Sequence, residues 1–238
     1  MTTIASSIDT VEAEINGMAN RQFETPEFRE FFGVPLTLAR ARLVAINMAH
    51  YVNNRRDCWG FVQGAAPLDV KRLIWEHEQD ELIHDPRAGM DHYTLTTKEA
   101  RVLGLAPEDI ENTESVPGAA AAFYAWIHIA KSRPWLEAVT ASCVLEIRNS
   151  GDVVQGGGAS FRWRRKMVEE LGIPESELIN QSVHVEADRA HASMLRQVMD
   201  RYAHTDETRA AILRGAHDSF VVDRAFRGAV GHAMAGLA

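Results

Sequence analysis

The chain has little of what several protein classes need. Only two cysteines, Cys58 and Cys143, occur among 238 residues, and they form no CxxC motif. This scarcity excludes a disulfide framework and a thiolate metal site, and it favours a reducing, cytoplasmic location. No apolar run approaches the ~18 residues of a membrane span, and the first residues lack the basic and apolar regions of a signal peptide. We therefore expect a soluble cytoplasmic protein without a membrane partner.

Basic charge is scarce as well. The sequence has 25 Lys and Arg residues against 33 Asp and Glu residues, which gives a net charge of −8, and it has no long run of one sign. Proteins that bind nucleic acid or anionic membranes nonspecifically carry the opposite balance. We therefore expect no nucleic-acid partner.

Strict alternation of apolar and polar residues is rare in this chain. Apolar residues make up 46% of it and recur mostly at spacings of three and four, which predicts helices and no sheet. No repeat, low-complexity tract or long polar linker divides the sequence, so we expect one domain, residues 1–238, of seven to nine helices. The predicted helices cover approximately residues 25–32, 35–59, 67–85, 97–105, 116–131, 134–150, 160–171, 182–203 and 205–234.

Ten histidines stand beside the two cysteines, and the segment HVEADRAH is the strongest local signal among them. On a helix, the offsets of His184, Asp188 and His191 are roughly 0°, 40° and −20°, so the three side chains share one stripe. Leu195 and Val198 continue that stripe, which marks it as a buried face. Imidazoles and a carboxylate on such a face are costly unless they are paired or bind a cation. The alternatives are a satisfied polar cluster or an accidental spacing on a solvated face.

A second signal lies in the segment IWEHEQDELIH, where Ile74, His77, Glu81 and His84 form a stripe that changes from apolar to polar. Glu81 with His84, like Asp188 with His191, has the carboxylate-x-x-His spacing that di-iron carboxylate bundles use. An amphipathic helix with histidines at the edge of its outer face is the alternative.

A third signal is Glu146, which stands in the apolar run SCVLEIRNS. A glutamate is rarely buried in such a run without a partner, which is either a metal ion or an arginine from another helix. Arg148 lies roughly 200° around the helix from Glu146, so we expect it on the opposite face, in a surface or ion-pair role. Histidine and carboxylate donors without thiolate favour iron or manganese, although they do not exclude zinc.

These motifs together resemble the haem-oxygenase-like di-iron oxidases and oxygenases, which are relatives of the TenA and PqqC proteins. The flanks of HVEADRAH also resemble the chlamydial p-aminobenzoate-forming branch. The resemblance extends from about Arg21 to Ala203. It implies an all-α, haem-oxygenase-like seven-helix bundle.

The resemblance also implies a ligand set. The His-x3-Asp-x2-His pattern matches in full, Glu146 matches the middle glutamate, and Asp80-Glu81 matches the first motif. The histidine paired with Glu81 is either His92 or His84. His92 fits better because it precedes the segment LGLAPE by the family's distance. The implied metal ligands are therefore Glu81, His92, Glu146, His184, Asp188 and His191.

The implied function is O2-dependent oxidation of a small amino- or carboxylic-acid substrate, in specialised metabolism, by two Fe(II) ions or by an Fe/Mn pair. The carboxylates of Glu81, Glu146 and Asp188 would carry the catalysis and offset three of the four metal charges. An external reductant and a homodimer are further expectations.

Two departures from the family refine this function. The helix before the first motif lacks the extra carboxylate of N-oxygenating members, since its expected inward stripe reads Leu43, Asn47, His50 and Asn54. This absence favours oxidative C–C or C–H cleavage. Phe28 stands where a branch that consumes its own tyrosine would have that tyrosine.

Two other functions stay open at this point. One is a metal-free TenA- or PqqC-like enzyme, either a thiaminase-like hydrolase or a cofactor-biosynthesis oxidase. It would draw on Cys143, one turn from Glu146, although a small thiol there more often only packs. The other is a binding or regulatory module.

Overall fold

The chain is helical almost throughout. The structure is a computed structural model that describes residues 3–237, without the side chains of residues 3–7, 185, 186 and 188–190. Over these residues it contains no strand, so the all-α expectation is confirmed. The helices are α1 (Thr3–Gln22), α2 (Pro26–Gly33), α3 (Leu38–Ala65), α4 (Leu68–Glu78), α5 (His92–Val102), α6 (Pro107–Glu111), α7 (Pro117–Ser132), α8 (Trp135–Ile147), α9 (Ala159–Leu171), α10 (Ile179–Tyr202) and α11 (Asp206–Ala235).

The described residues form eleven α-helices. This number is larger than the seven that the resemblance implies and the seven to nine that periodicity predicts. Helices α1 and α6 were not predicted. In α1 the buried residues Ile8, Val11, Ile15 and Ala19 follow a helical spacing that would have revealed it. Helix α5 begins at His92 rather than near residue 97, because Asp91 caps it by accepting a hydrogen bond from the Thr94 amide.

Several boundaries follow the expected local chemistry. Pro26 begins α2 directly after Thr25, and Gly172 ends α9 in the left-handed conformation, with φ of +67°. The helix predicted over residues 67–85 is different, because α4 ends at Glu78 and continues as a π turn, Gln79–Ile83.

Helix α8 lies at the centre of the molecule. Eleven of its 13 residues are buried, and it packs against α11, α10, α7, α3 and α1. A helix that is apolar on all sides is stable only when other helices cover it. Glu146 is the one carboxylate of α8 in its last turn, so this packing holds the glutamate deep between α3, α4 and α10.

One extensive hydrophobic cluster joins α8 to the long helices around it, and a small second cluster lies between α3, α5 and α6. No helix among the described residues is long and apolar enough to cross a membrane.

Close contact between α8 and α11 depends on Gly215. A Cβ atom at this position would lie 2.3 Å from the backbone oxygen of Glu137, whereas one at Gly60, within α3, would meet nothing within 4 Å. We expect Gly215→Ala to lower the free energy of unfolding by about 1–3 kcal/mol through overpacking. Gly60→Ala should instead raise it by up to ~1 kcal/mol. Urea denaturation of both variants measures the difference, and equal effects would contradict the packing described here.

Candidate metal centre

Four segments bring imidazole and carboxylate side chains together in the interior. Helix α4 and its π turn contribute His77 and Glu81, which share a face. The last turn of α8 contributes Glu146. The first residue of α5 contributes His92, and α10 contributes His184 and His191.

The first donor group consists of His77, Glu81, Glu146 and His191, which each offer one ligand atom within 4.8 Å of the others. The Nε2 atom of His77 lies 3.8 Å from Oε1 of Glu146. The Nδ1 atom of His191 lies 3.6 Å from Oε1 of Glu81 and 3.9 Å from Oε2 of Glu146. These separations are too long for hydrogen bonds and suit donors that surround a common cation.

The second donor group consists of Glu81, His92 and His184, again with one ligand atom each within 4.8 Å. The Nδ1 atom of His92 lies 2.7 Å from Oε1 of Glu81, and the rings of His92 and His184 are 4.5 Å apart between centroids. Glu81 therefore belongs to both groups and joins them into one cluster.

The histidines of the second group are fixed by hydrogen bonds through their other nitrogen. Nε2 of His92 lies 2.8 Å from Oδ2 of Asp85, which is fully buried and is itself bound by Arg87. Nδ1 of His184 lies 2.9 Å from the carbonyl oxygen of Asn180. Partners of this kind set the tautomer and orientation of metal-binding imidazoles.

In the first group, His77 has a comparable hydrogen-bond partner among the described residues, whereas His191 has only ion-pair contacts. Nδ1 of His77 lies 3.0 Å from Oε1 of Glu78, and Nε2 of His191 lies 3.5 Å from Oδ2 of Asp80. Arg56 pairs with Glu78 at 3.2 Å and with Glu81 at 2.8 Å, and so connects this outer layer to the shared carboxylate.

The pKa values in the cluster reflect this crowding of charges. Burial alone would lower the pKa of His77, but the carboxylates of Glu146 and Glu78 outweigh it and raise the pKa to about 9. Burial is likewise outweighed at His92, where Glu81 and Asp85 raise the pKa to about 9. The pKa of His184 falls to about 4, because burial dominates and His92 adds repulsion.

The two central carboxylates are held in the ionised form. Burial would raise the pKa of Glu81, but the cationic groups of Arg56 and His92 hold it well below its usual range. At Glu146, His77 overcomes the same burial effect and lowers the pKa to about 2. Both glutamates thus offer anionic oxygens at neutral pH.

Unpaired ring nitrogens give a further indication that the cluster can hold a metal ion. Nε2 of His77 and both ring nitrogens of His191 are buried without a hydrogen-bond partner. Buried polar atoms normally have a partner, and a cation would provide one for these nitrogens. The donors are nitrogen and oxygen only, and neither buried cysteine belongs to the groups, so the set suits iron or manganese.

Five of the six ligands expected from the sequence lie in the two groups. The side chain of the sixth, Asp188, falls outside the part of the chain that the structure describes. His84, the competitor of His92, is exposed and belongs to neither group. The sequence reasoning did not select His77, although its spacing of four residues from Glu81 was a usable signal, and it missed Asp85, whose role depends on the loop that follows the π turn.

That loop explains how His92 reaches Glu81 across eleven positions. After the π turn, residue 84 is extended, and Asp85 and Met90 form an isolated antiparallel bridge that reverses the chain. Helix α5 then begins at His92, directly beside the π turn. π turns often occur at functional sites because they reorient side chains inside a helix.

A cavity of about 90 Å³ adjoins the cluster, large enough for several water molecules. Glu81, Glu146 and His184 line one part of it, and Arg55, Arg56, Arg148 and Arg227 line others. The face of α3 that borders it carries Val44, Met48, Tyr51, Val52 and Arg55. The inward stripe expected from the sequence does not border the cavity, although Asn47 within it is buried. The sequence of α3 alone does not show which of its faces the neighbouring helices cover.

Arg148 has the ion-pair role of the two that the sequence analysis expected, and not the surface role. It is almost fully buried, borders the cavity and pairs with Asp223, its Nε lying 2.6 Å from Oδ2. Arg148 keeps helical dihedral angles, but α8 is covered on all sides, so a position away from Glu146 is buried as well.

The comparisons agree with this arrangement. Residues 42–223 match the model of a family described as iron-containing redox enzymes. Among solved structures, the chain is similar to a domain of unknown function with a haem oxygenase-like fold from Shewanella denitrificans OS217. Their TM-score is 0.73 at 14% identity, over 93% of this chain and 90% of that one.

The chain is also similar to a CADD-like protein of unknown function from Nostoc punctiforme PCC 73102, with a TM-score of 0.71 at 15% identity over 95% of this chain and 97% of that one. A TenA homologue from P. horikoshii OT3 gives a TM-score of 0.60 at 16% identity over 93% and 99%. Such low identities show the fold alone, and the expected haem-oxygenase-like fold is confirmed. No curated protein matches the sequence.

Glu99 of α5 is buried and borders the cavity. It accepts hydrogen bonds from the side chain of Gln181 at 3.0 Å and from the Gln181 amide at 3.3 Å. Burial outweighs these bonds and raises the pKa of Glu99 to about 7.

We expect Glu99→Gln to stabilise the protein in a pH-dependent way. The folded protein binds the Glu99 proton more tightly than the unfolded chain does, so the contribution of Glu99 is fully present below pH ~4.5 and is lost as pH rises through about 7. The gain of the variant over the wild type in free energy of unfolding should be about 2–3 kcal/mol larger at pH 8 than at pH 5. Urea denaturation at both pH values tests this, with the exposed Glu76→Gln as control. An equal gain at both pH values would contradict it.

Proposed function

The chain belongs to this family of iron-containing redox enzymes, and on that premise we propose that it is a non-haem di-iron oxidase or oxygenase. It uses O2 to oxidise a small amino- or carboxylic-acid substrate. The observation that carries the proposal is the overlap of two buried donor groups at Glu81. A carboxylate that belongs to two donor groups is what a site for a pair of ions would need, as in the di-iron carboxylate bundles.

The proposed ligands divide between the two ions. His77, Glu146 and His191 would hold one ion and His92 and His184 the other, with Glu81 available to both groups. Asp188 lies between His184 and His191 along α10 and completes the set, as the sequence resemblance implies. His77 adds a fourth imidazole to the three histidines of that implied set.

Ferrous ions, when bound, would supply the electrons that reduce O2. The chain's own residues hold the site for this chemistry. Arg56 neutralises part of the negative charge at Glu81 and Glu78, while Asp85 and Glu78 orient His92 and His77. Val44, Met48, Trp163 and Met167 give the adjoining cavity apolar walls.

The carboxylate content of α3 bears on the kind of oxidation that we propose. Asp57 is the one carboxylate on this helix, and it is exposed and does not border the cavity. The proposed site therefore has no extra carboxylate from α3, and we favour oxidative C–C or C–H cleavage over N-oxygenation. An external reductant, a homodimer and a place in specialised metabolism stay predictions.

A metal-free enzyme of the TenA or PqqC type is the second candidate, and the likeness to the TenA homologue supports it. A thiaminase-like version needs a reactive thiolate. Burial strongly raises the pKa of Cys143, and Glu146 raises it further, so this thiol is a poor nucleophile. The chemistry of Cys143 thus favours the metal-dependent candidate.

Iron binding tests the proposal directly. Anaerobic addition of ferrous iron to the full chain should give about two irons per chain after desalting, and O2 uptake should follow on exposure to air. His77→Ala and His92→Ala each remove a ligand from a different group, so each should retain about one iron per chain. Elemental analysis measures the stoichiometry, and an oxygen electrode measures the uptake.

His84→Ala is the matched control, because His84 is exposed and belongs to neither group. It should retain two irons. A wild-type chain that takes up no iron would favour the metal-free candidate. Iron uptake that is unaffected by His191→Ala would show that the metal binds elsewhere.

Asp85 provides a second test, because it contacts His92 rather than the ions. We expect Asp85→Asn to weaken iron binding at the second group about 10- to 100-fold while the first group still loads. Competition with a chelator measures the affinity, and circular dichroism checks the fold. The exposed Asp57→Asn should leave both affinities unchanged. An Asp85→Asn variant with wild-type affinity would remove Asp85 from the site.

A further inference from the structure

Arg55 is a buried cation without an ionic partner. It is 3% exposed, and its Nη2 atom has no hydrogen-bond partner. No carboxylate of the described residues pairs with it, and its guanidinium carbon lies 5.9 Å from the ring centroid of Trp126. A buried charge is costly unless something compensates it. Because Arg55 borders the cavity, a ligand there can provide the missing negative charge.

Tyr51 lies one helical turn before Arg55 and offers a second unused donor. Its hydroxyl oxygen accepts a hydrogen bond from Nη2 of Arg148 at 3.2 Å, which leaves the hydroxyl hydrogen to donate. The described residues supply no acceptor for that hydrogen. The ring is fixed against Phe226 and Trp126, at 5.4 Å between centroids in each case, so the hydroxyl position is well defined.

The other charged groups that line the cavity have partners. Arg56 pairs with Glu78 and Glu81, and Arg148 with Asp223. Arg227 lies 3.6 Å from the same Asp223 carboxylate, which therefore serves two guanidinium groups. Glu81 and Glu146 belong to the metal cluster. The part of the cavity lined by Tyr51, Arg55, Arg148 and Arg227 thus has more cationic charge and more hydrogen-bond donors than the described acceptors can satisfy.

We propose that Arg55 and Tyr51 bind the carboxylate of the substrate, with Arg55 as its main ionic partner. A carboxylate carries only acceptors and one negative charge, which matches two donors and one unpaired cation. The proposal rests on the proposed function and adds to it the location and chemical class of the bound group.

This placement separates substrate binding from metal binding. The carboxylate is held by α3, while the donor groups come from α4, α5, α8 and α10. The remainder of the substrate occupies the space between Arg55 and the Glu81–Glu146 side of the cavity. A small acid bound there would reach the donor groups, because the same cavity borders both.

Binding of simple acids tests the proposal without any need for the natural substrate. The probes are benzoate and butanoate, each compared with its neutral amide, on the full chain with and without ferrous iron. Isothermal titration calorimetry should give at least about 10-fold tighter binding for each acid than for its amide. Binding of acid and amide with equal affinity would overturn the proposal, as would no binding of either acid.

Variants then assign the binding to Arg55. We expect Arg55→Gln to weaken benzoate binding about 10- to 100-fold and Arg55→Lys to weaken it less, because lysine keeps the charge but loses the fork of donors. Tyr51→Phe should weaken it about 3- to 10-fold. The exposed Arg165→Gln is the control and should bind as the wild type does.

Thermal unfolding separates a binding role from a structural one. Removal of an uncompensated buried charge should leave the melting temperature of ligand-free Arg55→Gln unchanged or higher. A lower melting temperature together with unchanged benzoate affinity would make Arg55 structural and overturn the proposal. If Arg55→Gln does not fold, Arg55→Lys and Tyr51→Phe give the same comparison.

Iron content, measured in the same samples, distinguishes this proposal from the proposed function. If the chain takes up iron and Arg55→Gln still binds benzoate, the acid binds the metal cluster instead. The proposed function would then stand, and the carboxylate site would be overturned. Benzoate binding that depends on Arg55 in a chain that takes up no iron would keep the carboxylate site and overturn the di-iron function.

Discussion

Neutralisation of one buried carboxylate, that of Glu81, organises the interior of this protein. The side chain is almost fully buried, so its charge must be balanced locally. Arg56 from α3, His92 from α5 and His191 from α10 approach it from three directions, at 2.8, 2.7 and 3.6 Å. Each of these residues is fixed in turn by its own helix, and the central helix α8 adds Glu146 from a fourth side. The positions of four helices around Glu81 are thus coupled to the charge balance of the cluster.

Two neighbouring arginines on α3 serve different parts of the site. Successive residues on a helix point about 100° apart. Arg56 consequently reaches the carboxylates of the cluster, while Arg55 borders the cavity beside Trp126 and Tyr51. One helix can therefore stabilise the metal ligands and present a separate cationic wall to a ligand. The two roles depend on the same rotational setting of α3, which its packing against α7, α5 and α8 determines.

Much of the fold and of the donor set could be predicted from local patterns. The all-helical character followed from spacings of three and four, and the pairing of His184 with His191 followed from one helical stripe. What depends on tertiary contacts could not be predicted in this way. The face of α3 that borders the cavity is not the stripe expected from the sequence, because a central helix is covered on several sides. For Arg148 the sequence allowed a surface or an ion-pair role, and only the packing of other helices around α8 shows that it is the buried ion pair. Asp85 carries no periodic signal at all, because it acts from a loop.

The π turn after α4 has a consequence for how relatives of this protein can be recognised. The segment between Glu81 and His92 reverses the chain direction. Leaving aside the residues next to these two ligands, its one described contact with a metal-binding side chain is that of Asp85 with His92. We expect relatives that keep the reversal and the aspartate contact to hold the same two side chains side by side even where the reversal differs in length. A search pattern with a fixed gap between this glutamate and its histidine would overlook such relatives. Two half-patterns, one ending at the glutamate and one beginning at the histidine with its N-cap aspartate, describe the site without that restriction.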